Sequence, residues 1–151
     1  MPRIVREAEA TWEGTVARGA GTLTATSSQA FVSLPITIAA RVGDPEGKTS
    51  PEELLAAAHA GCYITSLGSE LARLDCPPER LEVRCVITMD EVEGKGHRIV
   101  LSEIHARGSA PGADAETFAR AAEAADQGCP FSALIRASAA VTVSATLDEG
   151  A

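Results

Sequence analysis

The stretch SPEELLAAAHAGCY, from Ser50 to Tyr63, leaves the chain little choice but to begin a helix. Ser50 offers a hydroxyl at the N-cap and Pro51 presets the backbone of the first helical position. Glu53, three residues after the serine, completes a capping box. Alanine and leucine carry the helix onward, and the pattern predicts that it runs to about Leu74. The sequence before it reads as strands: Arg3 to Gly14 alternates loosely, Gly19 to Gly21 reads as a turn, and Thr22 to Ser27 resumes the alternation. Ile36 to Arg41 reads as a further strand ending at GDPEGKTSP, which is loop chemistry. After the helix, Leu81 to Val92 alternates as a strand, EGKGH turns the chain, and Arg98 to Gly108 returns beside it with Ile99, Leu101 and Glu103 on one face. Asp114 is suited to cap a helix from Ala115 to about Gln127, a short helix is predicted from Pro130, and Val141 to Leu147 closes as a strand. Strands and helices segregate rather than alternate, so the expected class is α+β, with largely antiparallel sheet packed on a long central helix. A chain of 151 residues is the length of one domain, spanning residues 1–151.

Thirteen basic residues against 21 acidic ones give a net charge of −8, which repels nucleic acid and anionic membrane surfaces alike. The opening MPRIVREAEATWEG has no apolar run of signal-peptide length, and nowhere do eighteen apolar residues follow one another. A soluble, cytoplasmic protein is expected. Aromatic residues make up only 3%, so small aliphatic side chains must fill the interior, and such a core gains buried area by pairing with a second copy. A homodimer is the expected partner state.

Four cysteines, Cys62, Cys76, Cys85 and Cys129, contain no CxxC pair and are too scattered for a disulfide scaffold. Cys76 and Cys85 read as buried core thiols. Cys62 lies twelve residues past the N-cap, beyond useful reach of the helix dipole, so its ionisation would need another cation. Leu55, Ala58, His59 and Ser66 share its side of the helix, a setting that suits a core residue as well as a thiolate. Cys129 differs, because Gly128 ends one helix and Pro130 begins the next. That places its sulfur at an N-cap, where free N–H groups favour a thiolate.

TSPEELLAAAHAGCY, followed far downstream by ADQGCPFSALIRASAAVTVSATL, resembles the OsmC/Ohr family of thiol-dependent hydroperoxide reductases. The AAHAGC form points to its OsmC branch, and the order strand, helix, hairpin, helix, strand extends the resemblance over nearly the whole chain. The resemblance implies a peroxidase without cofactor or metal. Cys62 would be the peroxidatic cysteine, oxidised to a sulfenic acid, and Cys129 the resolving one that traps it as a disulfide. It also implies an activating arginine paired with a glutamate. Arg41 matches the arginine of the OsmC pattern, Arg18 matches the Ohr position, and Glu52 matches the glutamate. The implied substrate is an organic hydroperoxide or hydrogen peroxide, and the implied reductant a dithiol of lipoyl or thioredoxin type. Ten helical residues separate Glu52 from Cys62 by about 15 Å along the axis and about 80° around it, so the two side chains of one chain cannot touch. The intertwined dimer of the family, in which both chains build each site, would resolve this.

Other readings of the same residues remain open here. His59 suits a hydrogen-bonded structural role, a proton donor, or, with Cys62, a thiol hydrolase. Zinc held by His59, Cys62 and Cys129 would lack a fourth ligand. Gly19 to Gly21 has no phosphate-loop context. Trp12 reads as packing, and Phe131 as the lining of an apolar pocket beside Cys129. The alternative to an enzyme is a non-catalytic dimeric module that binds an apolar ligand in the same cleft.

Overall fold

A computed structural model describes residues 1–150, which form two compact units, Met1–Pro51 and the part from Glu52 onward. In the first unit β1 (Glu9–Glu13), β2 (Ala20–Thr24) and β3 (Leu34–Ile36) make an antiparallel sheet in that order. Thr11 stands opposite Thr22 and their hydroxyls meet at 2.9 Å. The predicted turn at Gly19–Gly21 is displaced. The chain reverses just before it, where the Thr15 carbonyl accepts the amides of Arg18 (3.3 Å) and Gly19 (2.6 Å), and Gly21 is already inside β2. Gly21 serves close approach instead. A Cβ there would come within 2.3 Å of the Thr11 carbonyl and 2.6 Å of the Trp12 indole.

The strand expected over Ile36–Arg41 is also corrected. Thr37 accepts the Ala40 amide on its hydroxyl at 3.1 Å and thereby caps a short helix, α1 (Ile38–Val42). A local cap outweighs the β preference of the isoleucines that flank it.

The second unit is built on α2 (Pro51–Arg73), which ends within a residue of its predicted boundary. Its buried residues are His59, Tyr63, Leu67 and Leu71, four apart and therefore stacked along one side. β4 (Arg80–Val92) and β5 (Gly96–Ser109) pair antiparallel over their whole length, while β6 (Ala140–Leu147) runs parallel to β5, giving the order β4-β5-β6. A parallel neighbour requires a long return path, and α3 (Ala115–Gly128) and α4 (Pro130–Arg136) supply it. Asp114 caps α3 as expected, its carboxylate accepting the Thr117 amide at 2.7 Å.

The face expected to carry Ile99, Leu101 and Glu103 is interrupted. An irregularity at Thr88/Met89 sets Leu101 against Thr88 and Ile99 against Met89, leaving Val100 with no residue opposite it. Beyond it, the side of β5 turned inward carries Ser102, Ile104, Ala106 and Gly108. Phe118, Ala121, Ala122 and Ala125 form the buried side of α3 and join Tyr63, Leu67, Leu71 and Ile104 in the core. The Tyr63 hydroxyl donates to the Ala122 carbonyl at 2.9 Å, tying α2 to α3. Among the described residues no helix is long and apolar enough to cross a membrane.

Candidate thiol site

Two sulfurs 67 residues apart in sequence meet where the middle of α2 faces the junction of α3 and α4: Cys129 Sγ lies 3.3 Å from Cys62 Sγ, both as free thiols. Local chemistry explains each placement. Cys62 is half-buried one residue before the buried Tyr63, and its carbonyl accepts the Ser66 hydroxyl at 3.1 Å. Cys129 is wholly buried and is at once the C-cap of α3 and the N-cap of α4, where Pro130 takes the first helical position. Its sulfur accepts the Ser132 amide at 3.5 Å, the capping contact expected of a residue preceding proline.

The electrostatics run against spontaneous ionisation of Cys62. Burial pushes its thiol up, and the hydrogen bond it shares with Cys129 adds to the rise by favouring the proton on Cys62, while the Phe131 backbone and the Ser66 hydroxyl pull the other way. Of the two candidate arginines, Arg18 lies in the turn between β1 and β2. Arg41 ends α1 in the first unit, where it lines a mostly apolar cavity of about 230 Å³ with Trp12, Val16 and Ile36. Glu52 stands in the first turn of α2. Phe131 follows the thiol pair on α4 and is partly exposed, as is Leu134.

His59 is fully buried and both of its ring nitrogens are occupied: Nδ1 lies 2.7 Å from Ser102 Oγ on β5 and Nε2 2.8 Å from Ser132 Oγ on α4. Burial lowers its pKa, against the pull of Asp126 and with a smaller push from Arg136, which favours a neutral ring. A neutral imidazole has one donor and one acceptor nitrogen, and the two serines satisfy both. Cys85 joins this cluster, its sulfur 3.3 Å from Ser102 Oγ and 3.8 Å from His59 Nδ1. Sequence reasoning did not assemble it. The available signal was Ser102, a polar residue on a β5 face that otherwise alternates Ile104 and Ala106. Among the described residues no group of three or more His, Cys, Asp or Glu is placed to hold a metal ion.

The family model for OsmC-like protein matches residues 43–144. Peroxiredoxin OsmC of Escherichia coli (strain K12) is 32% identical over 134 residues, 89% of this chain and 92% of that one. The chain belongs to the OsmC-like family. The Shigella flexneri peroxiredoxin OsmC matches equally. Among solved structures, an organic hydroperoxide resistance protein OsmC from Legionella pneumophila superposes with a TM-score of 0.72 at 19% identity, covering 95% of this chain and 99% of that one. The organic hydroperoxide resistance protein OhrB of Bacillus subtilis gives 0.65 at 22% identity, covering 94% and 98%. These two show that the OsmC-like fold extends over nearly all of both chains. A peroxiredoxin relative of this identity and coverage supports a peroxidase-type enzyme function.

Proposed function

We propose that this OsmC-like chain reduces organic hydroperoxides, and hydrogen peroxide as a smaller substrate, with Cys62 as the peroxidatic and Cys129 as the resolving thiol. The observation that carries the reading is the 3.3 Å separation of the two sulfurs. A Cys62 thiolate attacks the distal oxygen of ROOH, the O–O bond breaks, and the alkoxide leaves as alcohol on taking a proton; Cys62 is left as a sulfenic acid. The Cys129 thiolate then attacks that sulfur, an S–S bond forms, and hydroxide leaves as water on protonation. Bond formation needs the sulfurs to close to about 2 Å, a displacement within the range of side-chain rotation. A dithiol of lipoyl or thioredoxin type restores both thiols by exchange through a mixed disulfide.

Arg41 is the guanidinium in this proposal and Glu52 the carboxylate that orients it, with Arg18 as the alternative cation. Because burial raises the Cys62 thiol, the first step depends on an opposite charge brought within about 4–6 Å of the sulfur. The two units act as one OsmC-like domain in a cytoplasmic homodimer, with both chains contributing to each site. The same raised thiol favours the rival reading, a non-catalytic dimeric module whose cysteines are inert. Intact-mass measurement after one equivalent of an alkyl hydroperoxide separates the two. The wild type is expected to lose two hydrogens, and Cys129→Ser to gain oxygen at Cys62. An unchanged wild-type mass beside unconsumed peroxide sinks the enzyme and leaves the binding module.

A further inference from the structure

α4 is a seven-residue helix with little apolar hold on the core: only Ser132 and Ile135 are buried, while Phe131 and Leu134 face outward. So short a helix is not stable by itself, and its orientation is set by what it touches. One of its two buried contacts is polar and directional, the 2.8 Å hydrogen bond between Ser132 Oγ and His59 Nε2. His59 is in turn fixed from its other side by Ser102 Oγ at 2.7 Å, on a strand of the central hairpin. Ser132 also donates its amide to Cys129 Sγ. A chain of contacts therefore runs from β5 through the imidazole to Ser132 and so to the sulfur of Cys129.

From this geometry we infer that His59 is a positioning residue for the resolving step, aiming Cys129 at Cys62 through Ser132. The inference rests on the peroxidase reading above and deepens it. A leucine at position 59 would fill the space between α2, α4 and β5 but would remove the directional tie from β5 to Ser132, leaving α4 held by its cap at Cys129, by buried Ile135 and by the Arg136–Asp126 ion pair at 2.5 Å, none of which fixes Ser132 against β5. Two hydrogen bonds at opposite edges of one planar ring hold Ser132 at a fixed distance and angle from β5. The resolving reaction consumes a Cys62 sulfenic acid and a Cys129 thiol and yields the disulfide and water. Its competitor is attack of the same sulfenic acid on a second organic hydroperoxide, giving a sulfinic acid and an alcohol. A Cys129 that is poorly aimed slows only the first of these, so the ratio of sulfinic acid to disulfide reads the aim independently of how quickly Cys62 is first oxidised.

The test is that ratio, measured by mass spectrometry over a hydroperoxide titration, in wild type, His59→Asn, His59→Gln and Ser132→Ala. Asparagine places its amide near the Nδ1 position and keeps the Ser102 contact alone; glutamine reaches the Nε2 position and keeps the Ser132 contact. The ratio is expected to rise roughly fivefold to tenfold in His59→Asn and in Ser132→Ala, as befits one lost buried hydrogen bond, and to stay within about twofold of wild type in His59→Gln. A role in stability alone would move asparagine and glutamine together. Equal ratios in the two His59 variants, or a Ser132→Ala that partitions as wild type does, overturn the inference while leaving the peroxidase standing. A wild type that forms no disulfide overturns both. Ser132→Ala retains the imidazole and nearly all of the packing, so the question stays answerable if either His59 variant fails to fold.

Discussion

His59 holds a neutral ring where an unfolded chain would leave it exposed to protons. Burial lowers its pKa in the folded state below the ordinary value of about 6.5, so between the two values the unfolded chain binds more protons and stability rises with pH. This contribution is complete above about pH 6.5 and is lost progressively as pH falls towards the folded value. Thermal unfolding at a series of pH values from about 8 to 5 should show the loss, and His59→Gln should flatten that part of the curve. Identical pH slopes in the two proteins would refute the assignment. Asp114 titrates apart from this window: its hydrogen bond to Thr117 lowers its pKa, and the associated stability is lost only at acid values below the ordinary carboxylate range. At this scale Cys129 was marked by its own surroundings, Gly128 and Pro130 bracketing it, whereas Cys62 was singled out, and joined to Cys129, only through the family resemblance carried by AAHAGC and GCPFSAL. Cys85 and Ser102 were not legible, because their meeting with His59 depends on which side of β4 and β5 turns inward.

α2 is held by a ladder of side chains four residues apart, and each rung can be removed separately. Leu67 is fully buried among apolar neighbours, so Leu67→Ala should cost about 3 kcal/mol in urea-induced unfolding. Tyr63→Phe deletes only the hydroxyl that bonds the Ala122 carbonyl and should cost about 1 kcal/mol. If alanine at 67 were as mild as phenylalanine at 63, α2 would not be the support of this core. Long elements with strong end signals were legible to within a residue or two: Ser50–Pro51 opened α2 and Asp114 opened α3. Two short features were not. Thr37 diverts an isoleucine-rich stretch into α1, and the bulge beside Thr88 breaks the alternation of β5. Neither effect has a period that a window of sequence could detect.

Across the second unit the interior is filled largely by small groups, with Ala106, Ala110, Ala121, Ala122 and Ala125 all buried beside a few large side chains. Such an interior, and a site proposed to draw on both chains, lead to the expectation that sedimentation of the native protein reports twice the mass of one chain. A monomer at micromolar concentration that still turns over hydroperoxide would remove the shared site from the proposal. The class of fold was legible because helix and strand signals segregate along the sequence; the parallel placement of β6 was not, since strand direction is decided by the path of the α3–α4 connection rather than by the residues of β6. Chain order has a consequence for synthesis. Cys62 leaves the ribosome 67 residues ahead of Cys129, several seconds earlier at roughly 5–20 residues per second, and throughout that interval neither its facing thiol nor α4 beyond it yet exists. A newborn polypeptide therefore presents its first thiol to any electrophile around it before the partner that would trap an oxidised form has been made.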